Sequence, residues 1–229
     1  MKRGSPVAPT RLPRKVAGIA LPHTALAIGA LEIAQGLLPP AILRHSIRSF
    51  LFAALIGERD GTKFNNETLF IASALHDIGL AAKLNSTDNR FEADGANAAR
   101  SFLLERGVGA VRAEQVWDAI ALHDVYGLAK HKSPEVRLCS EGVGVDAGGE
   151  LSALDGGRVK HIVAAFPRHG FEQDFLNTLV PIAKRKPASA NRTFLEDVAK
   201  KYVPGWNGPP NFCDVLHAAE AEFENLASR

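Results

Sequence analysis

Between Pro40 and Ile56 the apolar residues Ile42, Leu43, Ile47, Phe50, Leu51, Ala54 and Leu55 recur at helical spacing. That spacing gathers side chains on one face of an α-helix. The same pattern returns along most of the chain. No segment alternates apolar and polar residues convincingly at the period of two that marks a half-buried strand. The chain is therefore expected to be all-α, with its core made by helix faces.

Caps and breakers divide it. Thr24 can cap a helix over 25–37, which Pro39-Pro40 ends before the next one starts. After a polar loop, Asn66 is the expected cap of a third helix that carries Leu69 to Leu75 into His76-Asp77. Further helices are expected over 93–105, from Arg112 to His123-Asp124, and over 136–145 leading to Asp146. Gly142, Gly144 and Gly149 count against that last helix. Residues 126–134 read as loop, and 158–165, 171–184, 194–202 and 211–226 as helices. Residues 1–15, with Lys2, Arg3, Arg11, Arg14 and Lys15, read as a flexible basic tail. Residues 16–229 read as a single helical domain.

Composition excludes some function classes. The apolar fraction is 46% and the charged fraction 23%, as in soluble globular domains. The apolar stretch 16–38 is broken by Pro22, His23, Glu32 and Gln35, so no membrane span is expected. Net charge is +2 and the basic residues are dispersed apart from Lys184-Arg185-Lys186, so no nucleic-acid stripe is expected. Cys139 and Cys213 have no metal-type spacing and read as free thiols in a reducing, cytoplasmic compartment.

Within this greasy framework a few polar residues stand out. His45 lies in the middle of the second helix, the adjacent pair His76-Asp77 ends the third, and Asp146 follows a later one. Two imidazoles and two carboxylates make a mixed nitrogen and oxygen donor set suited to Zn, Fe, Mn, Co or Ni. In that order on helices, these residues resemble the ligand set of the HD superfamily of metal-dependent hydrolases.

Further segments narrow the resemblance. Leu21-Pro22-His23-Thr24, Leu38-Pro39 and His45-Ser46-Ile47-Arg48 are similar to the N-terminal pattern of the cyanamide hydratase family within that superfamily. Leu75-His76-Asp77-Ile78-Gly79, Arg90-Phe91-Glu92 with Gly95, the stretch from Ala165 to Gly170, and Lys186-Pro187 continue it. The resemblance covers roughly residues 19–195. Two places depart from it: Leu80-Ala81 and Ala190-Asn191-Arg192-Thr193 stand where the family carries other residues. Substrate choice is open there.

The resemblance implies a single-domain HD-type helical bundle. It implies one divalent transition metal, zinc first, held by His45, His76, Asp77 and Asp146. Phe91 stands where superfamily members with two metals place a further histidine, which points to one ion. The implied reaction is hydration of a small nitrile-like substrate by a metal-activated water. The alternative is a phosphohydrolase acting on a nucleotide or other phosphomonoester. Asp77 is the expected catalytic carboxylate as well as a ligand. Glu92 reads either as a general base or as a solvated carboxylate favoured at a helix start. His123 reads either as a site residue or as a structural one. Arg48 can hold Asp77, an anionic substrate group, or a surface partner. Arg90 is the other candidate substrate-binding arginine, and Phe91 and Phe171 can narrow the pocket. The remaining histidines, His131, His161, His169 and His217, read as structural or solvated. The expected partner is a small molecule, in a chain that can form homo-oligomers.

Overall fold

The computed structural model describes residues 12–227. Among these, helices dominate: α1 (Ala25–Leu37), α2 (Pro40–Arg59), α3 (Asn66–Leu75), α4 (Phe91–Glu105), α5 (Ala110–Ala121), α6 (Tyr126–Ala129), α7 (Pro134–Gly148), α8 (Gly156–Ala165), α9 (Phe171–Arg185), α10 (Pro187–Ala190), α11 (Phe194–Tyr202) and α12 (Phe212–Ala227). The all-α expectation holds. The strands among the described residues are β1 (Lys15–Val16) and β2 (Ile19–Ala20), an antiparallel pair with Lys15 opposite Ala20. Strands of two residues are too short to display an alternation. The expected tail over 1–15 thus needs correction at its C-terminal end. Positions 1–11 lie outside the described residues, but Leu12 is buried and Arg14 O accepts from Leu21 N at 3.0 Å.

The described chain forms two compact units, Met1–Thr178 and Leu179–Arg229, where the sequence suggested one domain. The boundary falls inside α9. The first unit is built around α2, whose residues from His45 to Gly57 are all buried. A helix apolar or buried on every side needs neighbours on every side. α2 packs against α7, α3 and α8; α3 also packs on α1 and α5, and α5 on α4. The closest of these contacts explains one of the glycines of α7. A Cβ on Gly142 would lie 2.2 Å from Ser49 O and 2.7 Å from Ala53 Cβ. The residue that looked like a helix breaker is what lets α2 and α7 touch.

Caps fix the starts of the helices. Thr24 accepts from Ala27 N and also donates to Glu67, tying the start of α1 to that of α3. The cap of α3 is Asn65, not Asn66: its side chain accepts from Thr68 N at 2.9 Å. Either asparagine has the right chemistry, and only the backbone conformation chooses. In the second unit Thr193 caps α11 by accepting from Leu195 N, and Arg192 N donates to Glu196. On α12, Phe212, Val215, Leu216 and Phe223 are exposed.

Candidate metal centre

His45 sits in the second turn of α2 and is buried. Its Nδ1 is 2.6 Å from Asp146 Oδ2. A carboxylate can only accept, so Nδ1 carries the proton and Nε2 bears the lone pair. His76 ends α3 with its Nδ1 2.8 Å from Ser73 O. A carbonyl likewise only accepts, so His76 also presents Nε2 as a lone pair.

These two Nε2 atoms are 3.2 Å apart. Asp77 Oδ2 lies 3.1 Å from the His76 nitrogen and 3.7 Å from that of His45. It is buried and has no hydrogen-bond partner. Three lone pairs thus converge in a buried space with no donor in the assigned tautomers. Such an arrangement is unfavourable unless a cation sits among them. The three ligand atoms all lie within 4.8 Å of one another. Two nitrogens and one carboxylate oxygen, with both imidazoles oriented from behind, fit a divalent transition metal.

The electrostatics follow from burial and from this crowding. Burial alone would raise the Asp77 carboxyl, yet His76, His45 and His123 hold it well below the usual carboxylate range. Burial lowers His45 despite its bond to Asp146. Burial would also lower His76, but the Asp77 charge wins and raises it.

Asp146 does not join the convergent set, contrary to the four-ligand expectation. Its oxygens are already engaged: Arg48 Nε donates to Oδ1 at 2.6 Å and Nη2 to Oδ2 at 2.7 Å, and His45 Nδ1 donates to Oδ2. Burial would raise this carboxyl, and those two partners hold it down. In this structure Asp146 orients His45 from behind. Its position inside α7, rather than after it, aims it at the back of that ring.

Arg48 also departs from expectation. It is fully buried, holds Asp146 and not Asp77, and donates from Nη1 to Phe166 O at 3.1 Å and Pro167 O at 3.3 Å. A guanidinium so engaged does not receive substrate. Arg90 is tied as well. Its Nη2 donates to Glu92 Oε1 at 2.6 Å and to Asp124 Oδ2 at 2.8 Å. Burial pushes the Glu92 carboxyl up to about 7 in spite of Arg90. The sequence reading missed Asp124, whose Oδ1 is buried without a partner.

His123 packs beside the centre, its ring 4.8 Å from that of His76. Its Nδ1 donates to Ile120 O at 2.7 Å, which leaves Nε2 as an acceptor. Burial and the neighbouring His76 push it down to about 4, so it is neutral near pH 7. Phe91 is buried with its ring 6.0 Å from that of His123. Gly79 explains how α4 comes so close to the pair His76-Asp77. A Cβ there would lie 1.8 Å from Phe91 O.

On the other side, Phe171 stacks on His45 with centroids 4.6 Å apart and an interplanar angle of 29°. Phe175 lies 6.3 Å from His45 and stacks on Phe171 at 5.1 Å. Only the fold shows it beside a ligand.

Fold and site together define an all-α domain with a buried His-His-Asp metal centre. Residues 42–142 match the family model described as HD domain. This supports placing the chain in the HD-domain superfamily, whose members are in general metal-dependent hydrolases. The matched stretch contains His45, His76, Asp77, Glu92 and His123, and it ends just before Asp146. No curated protein matches the chain.

Proposed function

We propose that the chain hydrates a small, neutral, nitrile-like substrate, with cyanamide as the type case. The observation that carries this reading is that the arginines beside the centre are all engaged. Arg48 holds Asp146, Arg90 is shared between Glu92 and Asp124, and Arg44 donates to Pro167 O and His169 O. A transferring phosphoryl group wants convergent arginine or lysine donors. The face of His45 is instead covered by phenylalanine. The match to the HD domain keeps a phosphohydrolase as the alternative.

His45, His76 and Asp77 would hold the ion, for which zinc is our first choice and Fe, Mn, Co or Ni are the alternatives. When bound, it supplies Lewis acidity and brings the ionisation of water toward neutral pH. Asp146 and the Ser73 carbonyl keep both imidazoles in the tautomer that presents Nε2. Arg48 keeps Asp146 charged and in place. His123 Nε2, neutral and buried, is an acceptor beside the centre that can orient the water by a hydrogen bond, and Glu92, whose carboxyl burial raises to about 7, is better matched to take up and return a proton. In the balanced reaction one water adds across C≡N. Its oxygen bonds to carbon, and both protons finish on nitrogen after tautomerisation, giving an amide, or urea from cyanamide.

The cysteines bear on location. Cys139 is a buried free thiol that burial pushes up to about 12, and Cys213 is an exposed free thiol. Among the described residues no helix is long and apolar enough to cross a membrane. We propose a cytoplasmic location on this basis.

The test is urea release from cyanamide by metal-loaded protein, with phosphate release from nucleoside monophosphates measured on the same sample. Chelator-sensitive urea formation that is lost in Asp77→Ala is the expected result. Phosphate release without urea overturns the hydratase reading in favour of the alternative.

A further inference from the structure

The segment before α9 is held unusually firmly for a loop. Arg44 Nε donates to Pro167 O at 2.8 Å and its Nη2 to His169 O at 3.0 Å. Arg48 Nη1 donates to Phe166 O and Pro167 O. Arg168 Nη2 reaches back to Ala147 O at 3.3 Å, next to Asp146. Two arginines of α2 thus hold the Phe166, Pro167 and His169 carbonyls of one short strap, and Arg168, on the strap itself, ties it to α7. The strap delivers Phe171, whose own N–H donates to Arg168 O at 3.1 Å.

Phe171 is then fixed from several directions. His45 covers one side of the ring at 4.6 Å, Phe175 stacks at 5.1 Å, and the Arg168 guanidinium lies 4.9 Å from its centroid. The ring is 5% exposed. A loop free to open would carry few anchored carbonyls and an unpacked tip. This one has the opposite character. It also shares Arg48 with Asp146, the group that orients His45.

We propose that Phe171, backed by Phe175, is a fixed aromatic wall beside the metal position and sets the size limit of whatever binds there. An imidazole ligates in its own plane, so a ring stacked on the face of His45 stands alongside the coordination space rather than behind it. The wall admits a slender neutral group and excludes one carrying a ring or branch next to its donor atom. This inference rests on the reading of the centre given above and names the specificity residue of that same site.

The test separates the wall from the reaction. Protein loaded with one equivalent of Co2+ is titrated with imidazole and with 4-phenylimidazole, following the visible absorption of the ion. The two probes share a donor nitrogen and differ in bulk. In the wild type, imidazole is expected to perturb the spectrum at concentrations at least about tenfold below those needed for 4-phenylimidazole. In Phe171→Ala that gap should close by about tenfold, with Co2+ still bound at one equivalent. Phe171→Leu, which keeps apolar bulk, should fall between the two. If Phe171→Ala does not fold, Phe175→Ala is read in its place, with a smaller gain expected.

Equal response to both probes in the wild type overturns the wall, as does an unchanged gap in the folded alanine variants. Failure of the wild type to take up Co2+ overturns the wall and the centre together. Cyanamide hydration is measured on the same proteins. The expected size selectivity without hydration leaves the wall standing and removes the hydratase reading. Hydration with no change in selectivity does the reverse.

Discussion

At the scale of single residues, the centre separates two carboxylates that looked equivalent in sequence. Asp77 brings an unpartnered oxygen to the metal position, while Asp146 stands behind His45. Asp77→Asn is therefore expected to abolish stoichiometric metal binding. Asp146→Asn should keep one equivalent but weaken affinity by about 10- to 100-fold, as for other groups that orient a ligand. Metal analysis after dialysis against graded chelator distinguishes the two outcomes. Equal loss in both variants would restore Asp146 as a ligand. Glu92 supplies a pH test. Its carboxyl rises from an ordinary 4.5 to about 7 on folding. Between those values the unfolded chain has lost a proton that the folded chain still holds, so stability falls as pH rises through this window. The loss is on the order of 3 kcal/mol. Urea titrations from pH 4.5 to 8 should show this decline as the stability difference between wild type and Glu92→Gln, because His123, pushed down to about 4, tilts both profiles the other way. His45, His76 and Asp77 were legible because polar residues in greasy helices are conspicuous. Asp124 and the partner of Arg48 were not, because both depend on side chains brought together from distant helices.

At the scale of elements, helices were legible where apolar spacing ran for several turns. α1 and α11 fall on the expected residues, and α2 extends beyond Ile56 to Arg59. The failures were local. α6 is a single turn inside an expected loop, and β1 and β2 are too short to show a period. α7 was the doubtful helix, and its glycine proves to be an element-level requirement. Gly142→Ala would drive a Cβ to 2.2 Å from a backbone oxygen of α2. We expect a loss of about 1–3 kcal/mol or more, read as a lower urea midpoint, although alanine is the better helix former. A neutral or stabilising effect would mean that α2 and α7 separate easily. Arg48→Met should cost about 3–5 kcal/mol, because it strands the buried Asp146 carboxylate.

At the scale of the whole molecule, composition and helical spacing foretold an all-α chain, but not its division into two compact units. Pro181 lies just past the boundary, yet α9 continues through it, so the helical pattern alone does not separate the units. Metal binding belongs to the first unit, which holds His45, His76 and Asp77. An ion present at about 100 times its Kd should stabilise the unit that binds it by about 2.7 kcal/mol. For a unit of this size that corresponds to a rise in Tm of roughly 5–10 °C. Calorimetry with zinc and then with excess chelator checks the shift, and Asp77→Asn should show none.

Arg48 is a junction with two clients, the carboxylate behind His45 and the strap that carries Phe171. Its consequence is a restriction on descent by mutation. Any replacement at this position disturbs the ion's support and the shape of the cavity in one step, so neither can be varied there alone. Phe171 and Phe175 have no bond to Asp146 and can change without it. New substrate ranges in chains descended from this one are expected to arise at the two phenylalanines. A mutant library selected for bulkier nitriles should yield changes there while retaining arginine at position 48.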